Sequence, residues 1–190
     1  MQYGEDADHR ELLSRRSFLT LGLGAAAATL VTACPVEAAV RALPERGLNL
    51  YNTHTGEFLK TVYWSQGRYV PKSLTQINRF LRDHRSGDVA QMDPRLLDLM
   101  VAVHKKFGNR GAIHIISGYR SPATNAMLVA NSDGVAHNSL HMAGKAVDIR
   151  IPGQSTKVVG RAAKSLKAGG VGTYPSSNFV HIDTGRVRYW

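Results

Sequence analysis

Two short segments constrain this chain more than anything else in it: Ser-Leu-His-Met-Ala-Gly-Lys-Ala-Val-Asp from Ser139 to Asp148, and Phe-Val-His-Ile-Asp from Phe179 to Asp183. In Ala146 to Ile151 the apolar Val147, Ile149 and Ile151 alternate with Asp148 and Arg150, which is the period of a half-buried strand and turns Asp148 away from the core. Val180 and Ile182 impose the same alternation on the second segment, so His181 shares a face with Phe179 and Asp183. If the two strands are neighbours, facing side chains stand about 5 Å apart at Cβ. His141 then reaches the same point from the loop before the first strand. Two neutral imidazoles and one carboxylate, with no fourth protein ligand evident, leave a tetrahedral position open for water, the arrangement of a catalytic rather than a structural zinc. A Zn2+ site of His141, Asp148 and His181 is therefore expected, although spacing alone also fits three ordinary polar side chains on a solvated face.

Three stretches carry a resemblance: the S-x-H-x-x-G-x-A-x-D pattern over 139–148, Ser-Gly-Tyr-Arg-Ser at Ser117 to Ser121, and the closing run from Gly169 to Trp190. They resemble the zinc D-alanyl-D-alanine metallopeptidases, most nearly their exported murein-endopeptidase branch, and the likeness spans residues 48–190. It implies a peptidase that uses two histidines and one aspartate on zinc to cut the peptides of peptidoglycan, with His141, Asp148 and His181 matching one for one. It also implies that Arg120 lines the active site, where a guanidinium can hold a peptide-stem carboxylate bidentately or share the charge of an oxyanion. Ser139 and Gly144 read as structural, the first hydrogen-bonding near a ligand and the second permitting a tight approach.

The general base is the gap in this pattern. Many members of the wider group place an acid or a histidine two or three positions before the last ligand, where this chain has Phe179 and Asn178, neither of which accepts a proton. Asp183 is the nearest carboxylate on the face of His181, a candidate either to take the water's proton or to orient the ligand imidazole. His137, four residues before His141, is the other titratable group within reach. The gap keeps a second class of function open, a wall-binding or scaffold protein that retains the zinc fold without catalysis. Tyr174, Tyr189 and Trp190 fit either a substrate groove or a core edge, while His54, His84, His104 and His114 fall on separate elements and receive no role.

The N-terminus points to the same compartment independently. Ser14-Arg15-Arg16-Ser17-Phe18-Leu19 has the form of a twin-arginine export signal, and residues 17–36 carry no charge, so residues 1–39 read as a signal peptide delivering the protein to the periplasm. The competing reading is a membrane anchor, since 20 residues can span about 30 Å of hydrocarbon. Cys34 is the only cysteine, which excludes an intramolecular disulfide; Val31-Thr32-Ala33-Cys34 can also be read as a lipoprotein processing site that would tether the protein to the membrane. Removing residues 1–39, with three arginines and five acidic residues, leaves 21 basic against nine acidic side chains, a net of +12 over 151 residues. Such a surface favours a polyanion, and for an exported protein the carboxylates of peptidoglycan stems fit better than nucleic acid.

The remainder suits a single small α+β domain: an antiparallel sheet carrying the zinc site, with helices packed on its other face. Residues 40–47 read as a linker, and 48–52 with 58–64 as a hairpin. Helices are expected from an N-cap at Ser73 to about Arg85, from Asp93-Pro94 to Gly108, from Ser121-Pro122 to about Ala130, and over 155–168. Further strands are expected at 112–116, 171–173 and 179–184, besides the one holding Asp148.

Overall fold

A computed structural model describes residues 44–132 and 134–190. The predicted twin-arginine signal, Cys34 and the first part of the predicted linker lie outside the described residues. The described residues form eight strands: β1 Arg46–Asn52, β2 Phe58–Ser65, β3 Arg68–Tyr69, β4 Ile113–Ser117, β5 Ala146–Arg150, β6 Gly170–Tyr174, β7 Phe179–Asp183 and β8 Arg188–Tyr189. They form one sheet in the order β3-β2-β1-β4-β5-β7-β6-β8. Neighbours run antiparallel except β1 with β4 and β6 with β8. The expected hairpin joins β1 and β2. However, β1 starts inside the predicted linker, because the Arg46 guanidinium is held by Asp98 at 2.8 Å.

One face of the sheet buries Leu48, Leu50, Ile113, Ile115, Val147, Ile149, Val180 and Ile182. Three helices cover it: α1 Pro71–Phe80 with Ile77 and Phe80, α2 Pro94–Lys105 with Leu96, Met100 and Val103, and α4 Thr156–Ser165 with Val159 and Ala163. Burial of such side chains, about 1.5–3 kcal/mol each, is what holds helices to sheet. Helix α3, Pro122–Asn131, differs in kind. Its buried residues are the polar Thr124 and Asn125, and it stands beside the polar face of the sheet, with Leu128 in the wall of a cleft there.

The caps at Asp93 and Ser121 form as expected, each side chain accepting a backbone N–H of the first turn, at 3.0 Å from Arg95 and 3.2 Å from Thr124. Helix α1 departs from expectation at both ends. It starts at Pro71, whose fixed φ and missing N–H suit a first helical position, and Ser73 is buried inside it, accepting a hydrogen bond from Thr61. It ends at Phe80 rather than near Arg85. The Asp83 carboxylate takes the amides of Arg85 and Ser121, both at 2.9 Å, and so draws the chain into a turn.

Candidate metal centre and its cleft

The β5–β7 register places Asp148 directly opposite His181, as the alternation of the two segments requires. His141 arrives from a 3-10 turn, Leu140–Ala143, whose first amides are capped by Ser139 and which Gly144 closes in a left-handed conformation at φ 65°. A Cβ on Gly144 would run into the Gln91 carbonyl, so both the turn and the close approach require glycine there.

Each imidazole has one nitrogen fixed by the protein and one turned inward. His141 donates Nδ1–H to the Gly118 carbonyl at 2.7 Å, and His181 donates Nε2–H to Asp183 Oδ2 at 3.0 Å. The inward nitrogens, Nε2 of His141 and Nδ1 of His181, stand 3.2 Å apart, and lie 3.4 and 2.9 Å from Asp148 Oδ1. With the outer nitrogens carrying the protons, two lone pairs and a carboxylate oxygen converge on one point. Only a cation, or a proton held in its place, satisfies such a convergence. Nitrogen and oxygen ligands on a tetrahedral zinc stand about 3.3 Å from one another. The donor set and its spacing therefore fit a divalent metal, and all three predicted ligands belong to the one cluster of its kind among the described residues.

The electrostatics agree. Burial alone would raise the Asp148 carboxyl, but the two imidazoles outweigh it and hold the group well below the usual carboxylate range. Burial would likewise depress His181, yet the carboxylates of Asp148 and Asp183 on its two sides raise it above an ordinary histidine. A metal entering this site therefore displaces a proton.

Family comparison supplies the remaining observation. Residues 40–190 match the family described as peptidoglycan L,D-endopeptidase MepK. The chain is 41% identical over 177 residues to the peptidoglycan L,D-endopeptidase MepK of Escherichia coli, covering 93% of this chain and 97% of that protein. It is also 41% identical over 178 residues to the probable peptidoglycan L,D-endopeptidase MepK of Haemophilus influenzae, covering 93% and 95%. The chain belongs to this family of zinc D-alanyl-D-alanine metallopeptidases. It is a peptidase.

In the peptidase, Asp183 is fully buried, and both of its oxygens are occupied. Oδ1 accepts from the amides of Gly170 and Gly185 and from Arg188 Nη1, while Oδ2 accepts from His181 and from Arg188 Nη2. Burial would raise its pKa, but the His181 and Arg188 hydrogen bonds, with those two amides, hold it well below the carboxylate range. Five donors leave no lone pair for a water, so of the two roles open to Asp183 the geometry favours orienting His181. His137 is exposed and does not line the cleft. Asp148 is the only carboxylate among the described cleft residues.

Arg120 lies in the strand-to-helix junction at the cleft wall, its Nη2 3.8 Å from Asp148 Oδ2 and its Nη1 donating to Asn125 Oδ1 at 3.3 Å. Its Nε is buried without a partner, the only such side-chain atom among the described residues. Burial lowers the guanidinium's pKa, and Asp148 opposes the shift. Asn125 was not singled out in the sequence. It also donates to the carbonyls of Ala136 and His137, both at 3.1 Å, and so ties the loop before the metal motif to the arginine.

The cleft around these groups has a volume of about 750 Å³. The sheet order gives it two unlike flanks, one on the β6–β8 side of His181 and one on the β1–β4 side of Asp148. The first is aromatic: Tyr174 stacks on Phe179 at 4.6 Å, and Trp190, packed over Gly172, donates its indole N–H to the Tyr174 hydroxyl at 2.7 Å. Tyr174 and Trp190 thus take the groove reading. Tyr189 does not, since it lies over Lys164, to whose carbonyl its hydroxyl donates. The second flank holds His54 and His84, histidines the sequence pattern left apart, together with Arg85 and Arg120.

Proposed function

We propose that this peptidase is a zinc-dependent endopeptidase that cuts L,D cross-links of peptidoglycan, those joining two diaminopimelate residues, in the periplasm after twin-arginine export. The observation that carries the reading is the convergence of His141 Nε2, His181 Nδ1 and Asp148 Oδ1, each fixed from behind, at the floor of a cleft large enough for a branched peptide. The names of the relatives, which the chain matches over nearly their whole length, support the substrate and the L,D bond. They also weigh against the scaffold alternative.

His141, Asp148 and His181 would hold the zinc ion, which would supply Lewis acidity for a water and for the scissile carbonyl. The protein does the rest. With Asp148 as its single carboxylate ligand the centre would keep a net charge of +1, so its acidity would be only partly quenched. Asp183 and the Gly118 carbonyl each take the outer N–H of one imidazole, which fixes its ring orientation and leaves the inner nitrogen facing the convergence point. Arg120, beside a ligand oxygen and with an unpartnered Nε, provides charge to a substrate carboxylate or to the oxygen that becomes negative in the transition state. No carboxylate other than the ligand Asp148 is among the described cleft residues, and five donors occupy Asp183, so Asp183 acts as a positioning residue in this scheme.

The test is incubation of the purified protein with cross-linked muropeptides, with and without a chelator, resolving products by mass. Chelator-sensitive loss of diaminopimelate–diaminopimelate dimers is expected. Cleavage confined to D-alanine–diaminopimelate dimers would overturn the L,D assignment, and binding without cleavage would restore the scaffold reading. For export, changing Arg15 and Arg16 to lysine keeps charge but removes the planar fork, and precursor should then accumulate in the cytoplasm. Unchanged mature protein in the periplasm would point to another route.

A further inference from the structure

His54 and His84 come from turns thirty residues apart in sequence, yet their rings lie face to face, centroids 3.9 Å apart and planes within 2° of parallel. Each is mounted rigidly. The His54 amide donates to the buried Asn52 side chain at 2.9 Å, and the amide of the preceding residue, Thr53, donates to the Ile115 carbonyl at 3.1 Å. His84 sits between Asp83, whose carboxylate binds the Ser121 and Arg85 amides, and Arg85 itself. That carboxylate is buried and both of its oxygens accept backbone amides, so it anchors the loop; its charge favours the protonated forms of His84 and Arg120 but it does not line the cleft.

What results is a cleft wall of two stacked imidazoles and one exposed guanidinium, which with Arg120 lines the side of the cleft away from the aromatic flank. Arg85 makes no ion pair among the described residues, and no described carboxylate other than the ligand Asp148 lines the cleft. Burial, then His54, then the Arg85 charge push His84 down to about 4, with the Asp83 carboxylate opposing them. The opposite flank, Tyr174, Phe179 and Trp190, offers rings and no free cation beyond Arg188, and that one is committed to Asp183.

We propose that His54, His84 and Arg85 form a second anion subsite, separate from the group Arg120 serves, which binds a further carboxylate of the cross-linked peptide on the β1–β4 side of the metal. The subsite makes the cleft selective for a substrate with two carboxylates around the scissile bond and sets the direction in which the peptide lies. The identity of the substrate arm rests on the endopeptidase reading above; binding of an anionic peptide to the wall does not.

The full-length protein is titrated, metal-free and therefore unable to cleave, with three synthetic diaminopimelate-linked peptides: one with all carboxylates free, one amidated on the arm contributing the scissile carbonyl, one amidated on the arm contributing the nitrogen. Arg85→Gln should weaken the free-acid peptide about tenfold, the scale of one lost charge-assisted contact. His84→Phe, which keeps a stacked ring on His54 but removes its N–H, should weaken it less. Amidation of one arm should weaken the wild type by a similar factor and abolish the effect of both substitutions, whereas amidation of the other arm should leave their effect intact. With zinc restored, both variants should show raised KM, unchanged kcat and full metal content. Equal affinity of wild type and Arg85→Gln for the free-acid peptide, or a loss that persists whichever arm is amidated, overturns the subsite. Failure of cleavage with the binding pattern intact would refute the endopeptidase reading and leave the subsite standing.

Discussion

The cleft contains two pairs of histidines that do opposite things with the same side chain. His141 and His181 meet edge to face, 61° between planes, with a carboxylate between them, and each has its outer nitrogen tied to an acceptor. His54 and His84 stack flat at 3.9 Å, with no carboxylate between them. In the first pair, fixing one nitrogen as donor turns the other into a lone pair aimed at a common point, which is what a metal needs. In the second, no described residue hydrogen-bonds a ring nitrogen, and both rings line the cleft wall. The residue type is therefore uninformative until the partner of its second nitrogen is known.

Breaking the first pair should have the largest effect. His141→Ala, Asp148→Ala or His181→Ala should each abolish stoichiometric zinc, measured by elemental analysis, and with it all detectable cleavage. Full metal content in any two of these variants would overturn the ligand assignment. Arg120→Ala comes next: turnover should fall about 100–1000-fold, on the scale of losing one preorganised electrostatic contact to the transition state, while zinc stays bound. Loss of zinc in that variant would make the arginine a structural support.

Asp183→Asn sharpens the comparison by loosening the clamp behind one ligand. Zinc affinity should fall about 10–100-fold, by competition with a chromogenic chelator, and the acid limb of the activity profile should keep its shape. A flattened acid limb with zinc affinity intact would instead make Asp183 the proton acceptor. The smallest effect concerns the second pair. The pKa of His84 in the folded protein, about 4, lies below the ordinary histidine value, so the unfolded chain binds more protons between about pH 6.5 and 4. Its contribution to stability is thus fully present above pH 6.5 and is lost as pH falls towards 4. His84→Phe should flatten the rise of melting temperature with pH across that window, read by thermal scans at low ionic strength. An unchanged slope would show that other groups set it.

Sequence periodicity was a sufficient guide where a feature depends on adjacent residues. The faces of Asp148 and His181 follow from period-two alternation, and the starts of two helices from Asp93-Pro94 and Ser121-Pro122, because a cap is a contact within one turn. It misplaced α1 because Ser73 resembles a cap locally, while the long-range use of Asp83 on Ser121, 38 residues away, decides where that helix can end. Asn125 and the two cleft-wall histidines carry no local signal for the same reason. Nothing near any of them in sequence marks the partner it meets.

The amino-acid order by itself determined which three side chains can bind the metal, on which face of their strands two of them project, and, through the shared motifs, the family. Tertiary structure alone decided which nitrogen of each histidine turns inward, that five donors close around Asp183, and that the cleft is imidazole-rich and cationic on one side and aromatic on the other. The division has a physical cause. Side-chain direction along a strand is set by the pleat of its own backbone, whereas a hydrogen-bond partner from another segment exists only once the strands have paired in register and the loops between them have closed.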